Sequence, residues 1–457
     1  MVPTATDHTL ATDPARPLGR FAATPRDPAR LAAALGAFLR AVAPGPSTRP
    51  IVTVADDAWI VEGFHPDQAA YARLTVPRAE FAADADWPLG TTAVALGSDW
   101  PDAIGGGWRV RLEGSTDPAD FPPATGPPGW LRGFAGMMAA LSLPMGRIPV
   151  DRGGLFGLVA ALGPGRSARA GRSIAVAWRP GRPAEAVVGA GMRPVALHAR
   201  AGVDGPGGGC RVAVGHALAS LAGVLPWGDA AALLRLGPGL PTAWAVRLGG
   251  IELLLGLPSW TSDGRLGALA LDAVAPPVEP GRFLANQVVA TFRAHPTQAR
   301  AEVVARTRAP AAEVAAVLLR LAELGQVLSE PEADRFRWRA AWGDATDPLD
   351  DPEPAEATAA RGILRTTSLQ VTRDEPTADG RGRRLEGTIL DRPVALDLDA
   401  DGWMRAGRCT CSHHAAGGLR RGPCRHLLAF QARAAAPPDR PRDLADWYAG
   451  FPAPIPV

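Results

Sequence analysis

Four side chains that bind soft metals fall within eighteen residues: Cys409, Cys411, Cys424 and His426. No other stretch of the chain constrains its fold as tightly. Alternate residues of an extended strand face one side, so Cys409-x-Cys411 places two thiolates together with about 7 Å between their Cα atoms, a gap one tetrahedral ion bridges. Twelve residues on, Cys424-Arg425-His426 supplies the second pair. Leu427-Leu428-Ala429-Phe430-Gln431-Ala432 continues as a helix, with His426 at its start and Leu427 and Phe430 packing below. Three thiolates and one imidazole form a closed tetrahedral set that suits structural Zn²⁺ and leaves no position for a catalytic water. His413 and His414 are rival ligands in the intervening loop, residues 412–423, and are expected to stay free.

The spacing C-x-C-x12-C-x-H, the Gly422-Pro423 step before Cys424 and the apolar helix start are similar to the SWIM zinc finger, over residues 361–435. That resemblance implies a small zinc-bound ββα-type domain serving in DNA and protein interactions. Bacterial members often occur alongside AAA ATPase and von Willebrand A-type proteins, which makes such proteins candidate partners. Arg405, Arg408, Arg420, Arg421 and Arg425 crowd the ligands, and residues 361–457 hold 15 arginines against 11 Asp plus Glu. Guanidinium forks on a metal-braced surface grip phosphates or acidic side chains equally well. The plainer reading of the same residues is a solvated face of arginines.

At 457 residues the chain has room for about two to four domains, and 47% hydrophobic with 21% charged residues describes a folded protein rather than a disordered one. The net charge of +2 decides nothing about nucleic acid, so the distribution of charge must. All 48 basic residues are arginine, which excludes a Gly-Lys-Ser/Thr phosphate loop, a Schiff-base lysine and a kinase-type strand lysine. The first twenty residues lack the apolar core of a signal peptide, and the apolar stretches near 212–227 and 249–257 are too short or interrupted for a membrane-spanning helix. A cytoplasmic location and no membrane partner are expected. Cys210, alone after Gly207-Gly208-Gly209, reads as a strand-edge structural cysteine.

The pattern along the chain is α+β and multidomain. Residues 1–27 read as a disordered tail, and 28–278 as an α+β domain of unassigned role. Within it 28–42 is an amphipathic helix carrying Leu31, Leu35 and Phe38, and 51–54, 93–96 and 108–112 are short strands. Helices are expected over 130–141 and 216–225, and paired strands over 243–255 and 266–274 around a turn at 259–264.

Residues 282–342 differ, with helices expected over 283–294, 298–306 and 312–324, the last carrying Val314, Leu318 and Leu321 before Gly325. A hairpin of Val327-Leu328 and residues 336–339 follows. This resembles a winged helix-turn-helix domain, with Arg308 where a glycine is common. The third helix offers Glu313, Ala315, Ala316 and Glu323 as its outward residues with only Arg320 basic, which favours a protein-contact or scaffold role over direct reading of DNA. Arg306, Arg308, Arg335, Arg337 and Arg339 are the groups that would serve DNA. An acidic linker, 343–360, then leads into the 361–435 finger domain, with strands expected over 363–371, 384–389 and 394–398, and a tail at 436–457.

These features describe a non-catalytic zinc-binding adaptor that contacts nucleic acid, DNA before RNA, or a protein partner. The competing class is an enzyme with its active site in residues 50–278, for which Asp56-Asp57 is the available carboxylate pair; adjacent acids on a strand point to opposite faces, which argues against it.

Overall fold

The structure is a computed structural model that describes residues 9–12, 21–43, 50–66, 69–82, 87–93, 110–115, 130–162, 173–179, 181–188, 193–198, 208–213, 216–236, 241–257, 281–339, 341, 355–366, 369–377, 382–399 and 404–434. Among these, strands β1 (Thr9–Thr12), β2 (Phe21–Ala23), β3 (Ile51–Val54), β4 (Ala58–Phe64), β5 (Tyr71–Pro77), β6 (Gly90–Ala93), β7 (Val110–Ser115) and β8 (Gly146–Val150) join β13 (Ala230–Arg235), β14 (Thr242–Leu248) and β15 (Ile251–Leu257) in one large sheet. Its order is β2-β7-β1-β6-β3-β4-β5-β15-β14-β13-β8. A smaller sheet orders β11 (Val195–Ala196), β10 (Glu185–Val188), β9 (Ser173–Trp178) and β12 (Gly208–Ala213). Cys210 lies on β12, an edge strand of that sheet among the described residues, paired to Val176.

Period-two side-chain alternation gives the large sheet two apolar faces. Trp59, Val61, Ala72, Leu74, Trp244, Val246, Leu253 and Leu255 point one way into the core under α1 (Pro28–Val42). Phe64, Tyr71, Ala243, Ala245 and Leu254 point the other way, under α2 (Trp130–Leu141). Helix α1 starts where expected because Asp27 accepts the Arg30 backbone N–H at 3.0 Å and Pro28 fits its first turn. Helix α2 is fixed by Trp130, whose Nε1 donates to the Phe64 carbonyl at 3.0 Å, and by Phe134 stacked on Phe64. Helix α3 (Arg152–Leu162) covers the small sheet, and α4 (His216–Ser220) runs into a 3-10 turn, Leu221–Trp227, instead of forming the single helix expected over 216–225.

Two expectations for this region fail. The segment 1–27 is not all tail: β1 and β2 pair into the large sheet, and Phe21 is fully buried against Trp59. The run 243–255 is not one strand but the hairpin β14–β15, because Gly249, at φ +63°, turns the chain back where Leu248 pairs with Ile251. The strand expected over 266–274 lies outside the described residues.

The tri-helical unit forms as its period predicts. Helices α5 (Arg282–Ala294), α6 (Arg300–Thr307) and α7 (Ala311–Glu323) enclose Val288, Phe292, Val303, Val314, Leu318, Leu321 and Phe336. Strands β17 (Val327–Glu330) and β18 (Arg335–Trp338) form the hairpin, and β16 (Thr297–Ala299) adds a third strand on β18. Arg308 takes the left-handed conformation, φ 56°, that closes α6. The outward face assigned to α7 is wrong, since Ala315 and Ala316 are buried and α7 packs on α2, where small residues let the two helices approach closely.

The hairpin is also turned inward. Arg339 donates to Glu62 at 2.7 Å with both side chains buried. Arg337 bonds Asp57 and, at 2.6 Å, Glu330. Arg73 donates to the Ser329 carbonyl and, at 3.1 Å, to Glu252. Two of the arginines set aside for DNA are therefore consumed inside the protein. Arg335 pairs with Glu330 at 2.6 Å as well.

Helix α8 (Ala355–Thr366) replaces the end of the expected linker and the start of the strand expected over 363–371. Ala357, Ala360 and Ile363 form its buried stripe and join a core that contains Ala139, Ala140 and Ala316 together with the C-terminal unit. That unit is an antiparallel sheet of β19 (Leu369–Pro376), β20 (Gly382–Ile389), β21 (Arg392–Asp399) and β22 (Met404–Cys409), followed by α9 (Ser412–Ala415), a 3-10 turn Gly418–Arg421 and α10 (Arg425–Ala434). No helix among the described residues is long and apolar enough to cross a membrane.

Candidate metal centre

Each of the four donors is placed by a different local device. Cys409 ends β22, in register with Val394. Cys411 stands beyond the strand as the N-cap of α9, where its Sγ accepts the His414 backbone N–H at 3.5 Å. Cys424 precedes α10, and its carbonyl accepts the Leu428 N–H at 3.0 Å. His426 sits in the first turn of α10. That helix is pressed onto the sheet by glycines: a Cβ at Gly387 would stand 2.1 Å from the Gln370 carbonyl and 2.8 Å from the Phe430 ring. Leu427 and Phe430, both fully buried, fill the space beneath the donors.

The result is a compact donor set. The three Sγ atoms and the imidazole nitrogen all lie within 4.8 Å of one another, and Cys409 Sγ is 3.7 Å from His426 Nδ1. A tetrahedral ion with metal–sulfur bonds of about 2.3 Å and a metal–nitrogen bond of about 2.0 Å spaces such donors about 3.6 Å apart. The donor chemistry agrees. Burial pushes the Cys424 thiol up to about 12 and raises Cys409, while Cys411 is raised by burial but brought below its ordinary value by backbone N–H donors and its thiol neighbours. Three adjacent thiols cannot all ionise here unless a cation sits among them, which is what a metal supplies. Burial, with Arg392 and Arg425 nearby, lowers the His426 pKa and keeps the imidazole neutral, the form that ligates. The site can hold a metal in a closed shell. His413 and His414 stand aside from it, His413 with its Nδ1 3.5 Å from Glu356.

Three of the five arginines have described side chains. Arg408 is exposed on β22 opposite Ala395, and Arg420 is exposed on the 3-10 turn. The side chains of Arg405 and Arg421 lie outside the described residues. Arg425 is engaged: its backbone N–H and its NH2 group each reach a Glu356 carboxylate oxygen at 2.7 Å, and its Nε reaches one at 3.2 Å. The Arg425 hydrogen bonds hold the Glu356 carboxyl down to about 2. Sequence reading missed Glu356 because it stands in an acidic stretch that looks like linker; the helical stripe Ala357, Ala360, Ile363 was the available signal.

Away from the centre, the Asp56-Asp57 pair is not a convergent carboxylate dyad. Asp57 is tied to Arg337, and Asp56 is exposed. On the C-terminal sheet Arg384 holds Asp397 through two bonds of 2.7 and 2.9 Å, and Arg383, its neighbour on β20, pairs with Asp374.

No protein family and no curated protein matches the chain. Among solved structures it is similar to the proliferating cellular nuclear antigen of Entamoeba histolytica, with 10% identity and a TM-score of 0.36 over 52% of this chain and 97% of that one. It is also similar to the A. fulgidus PCNA structure bound to a C-terminal region of FEN-1, with 11% identity and a TM-score of 0.35 over 52% of this chain and 96% of that one. At these scores neither likeness bears on function.

Proposed function

We propose that the chain is a non-catalytic adaptor of SWIM type, in which Cys409, Cys411, Cys424 and His426 hold a structural zinc ion and the arginines beside it bind nucleic-acid phosphates. The convergence of four donors among the described residues carries the reading, because three thiolates and an imidazole favour zinc and fill its shell, so the metal braces a surface instead of activating water. When bound, zinc supplies a rigid link between β22, the 412–423 loop and α10. Arg408 and Arg420 are then held at fixed positions from which they can meet phosphates without base readout.

The tri-helical unit follows the element order of a winged helix, but we assign it to the scaffold. Its third helix packs on α2, and Arg337 and Arg339 of its hairpin face Asp57 and Glu62. Nothing in that arrangement leaves a reading helix for the major groove.

The test is fluorescence anisotropy of the full chain against a short DNA duplex and the same sequence as RNA, over a series of salt concentrations. Binding that ignores base sequence and weakens steeply with salt supports the reading. Absence of binding to either at low salt assigns the face to an acidic protein surface, for which the Arg425–Glu356 contact is an internal example.

A further inference from the structure

The Glu356 carboxylate occupies a seat built for an anion. Around it converge the Arg425 backbone N–H at the start of α10, the Arg425 Nε and NH2 groups, and His413 Nδ1 at 3.5 Å. His413 lies in the 412–423 loop and Arg425 just beyond it, 69 residues along the chain from Glu356. The same groups suit a phosphate: a helix N-terminal N–H and a guanidinium fork are the standard donors to one.

The occupant is also placed to leave. Glu356 is in the first turn of α8 and takes no part in the buried stripe Ala357, Ala360 and Ile363 that docks this helix. A rotamer change of Glu356 vacates the seat without undocking the helix.

We infer that Glu356 is a built-in occupant of a phosphate seat at Arg425 and His413, and that a nucleic-acid phosphate binds there by displacing it. This rests on the reading of the finger as a phosphate-binding face. The contact sets the affinity of the finger from within the chain, since every phosphate taken at Arg425 must compete with a carboxylate whose effective concentration is that of a tethered group.

The experiment uses the full chain, its Glu356→Gln variant and the double variant Glu356→Gln/Arg425→Gln, with inorganic phosphate and a short DNA duplex as probes. Melting temperature and bound metal are measured first, so that loss of the fold is seen as such. The backbone amide resonance at position 425 should move saturably with phosphate in Glu356→Gln, at concentrations about tenfold lower than in the wild type, and not move in the double variant. Duplex affinity should rise about tenfold in Glu356→Gln with a salt slope steeper by about one unit, for one phosphate contact freed of its competitor. Phosphate binding without duplex binding keeps the seat and rejects the nucleic-acid reading of the finger. If Glu356→Gln is folded and metal-bound yet gains no phosphate binding, Glu356 is only a structural partner of Arg425 and the inference is overturned, whatever the duplex does.

Discussion

The Arg339 guanidinium and the Glu62 carboxylate meet at 2.7 Å with both side chains buried, joining the hairpin of the tri-helical unit to the fourth strand of the large sheet. Beside them Tyr71, Arg73 and Met138 close the seam. Removing one partner leaves the other charge buried and uncompensated. Glu62→Gln or Arg339→Met alone should therefore lower stability by roughly 3–5 kcal/mol, and Glu62→Leu with Arg339→Met by much less than the sum. Urea unfolding of the three variants measures the difference.

Acid should open the same seam one strand further on. Burial raises the Asp57 and Glu330 carboxyls, but hydrogen bonds and charge from Arg337 outweigh it and leave both below their ordinary values. A carboxyl lowered in the folded state contributes stability that is whole above its unfolded value, about pH 4, and is lost as pH falls through the folded value. Glu252 works in the opposite sense, raised first by burial, so its protonation on acidification favours the fold. Amide protection factors of β17 and β18, corrected for the intrinsic exchange rate, should fall below about pH 4, and Arg337→Met should remove that acid step while lowering protection at neutral pH.

Much of this architecture was legible because its cause is local. Asp27-Pro28 announces α1, and the spacing of Val314, Leu318 and Leu321 announces α7. The metal donors are legible for the same reason, since four ligands in eighteen residues need no distant partner. What escaped depends on pairing across the chain. Arg337 and Arg339 look like a basic strand until Asp57 and Glu62, about 280 residues earlier, are brought against them. Strands β14 and β15 are buried on both faces and so show no alternation to mark two strands, and Gly249-Gly250 was the only sign of the turn. Helix α8 was hidden by the acidic, proline-bearing residues before it.

The seat of α10 allows a test that leaves the donors untouched. A methyl group at Gly387 would meet the Gln370 carbonyl at 2.1 Å and the Phe430 ring within 3 Å, so backbone as well as side chain would have to move. Gly387→Ala should destabilise the C-terminal unit by more than about 2 kcal/mol and weaken metal retention under a competing chelator. Gly362→Ala, where an added methyl group meets nothing within 4 Å beyond its own helix, is the control and should neither destabilise the unit nor weaken metal retention.

Nucleic-acid affinity should follow the arginines of the finger and not those of the tri-helical unit. Joint replacement of Arg420, Arg421 and Arg425 by Ala should weaken binding to all sequences alike and flatten the salt slope by up to about two units, because Arg425 must give up Glu356 for any phosphate it takes. Arg320→Ala should change little, because Arg320 already pairs with Glu323 at 2.7 Å. Anisotropy titrations of both variants decide it, and the reverse ranking would place binding on α7.

X-ray absorption at the zinc edge on the purified full chain, with metal analysis, reports the ligands of the proposed zinc site. One zinc per chain is predicted, with three sulfur neighbours at about 2.3 Å and one nitrogen at about 2.0 Å, and no oxygen from water. Less than half a zinc per chain, two sulfurs with two nitrogens from His413 or His414, or a bound water oxygen would contradict it.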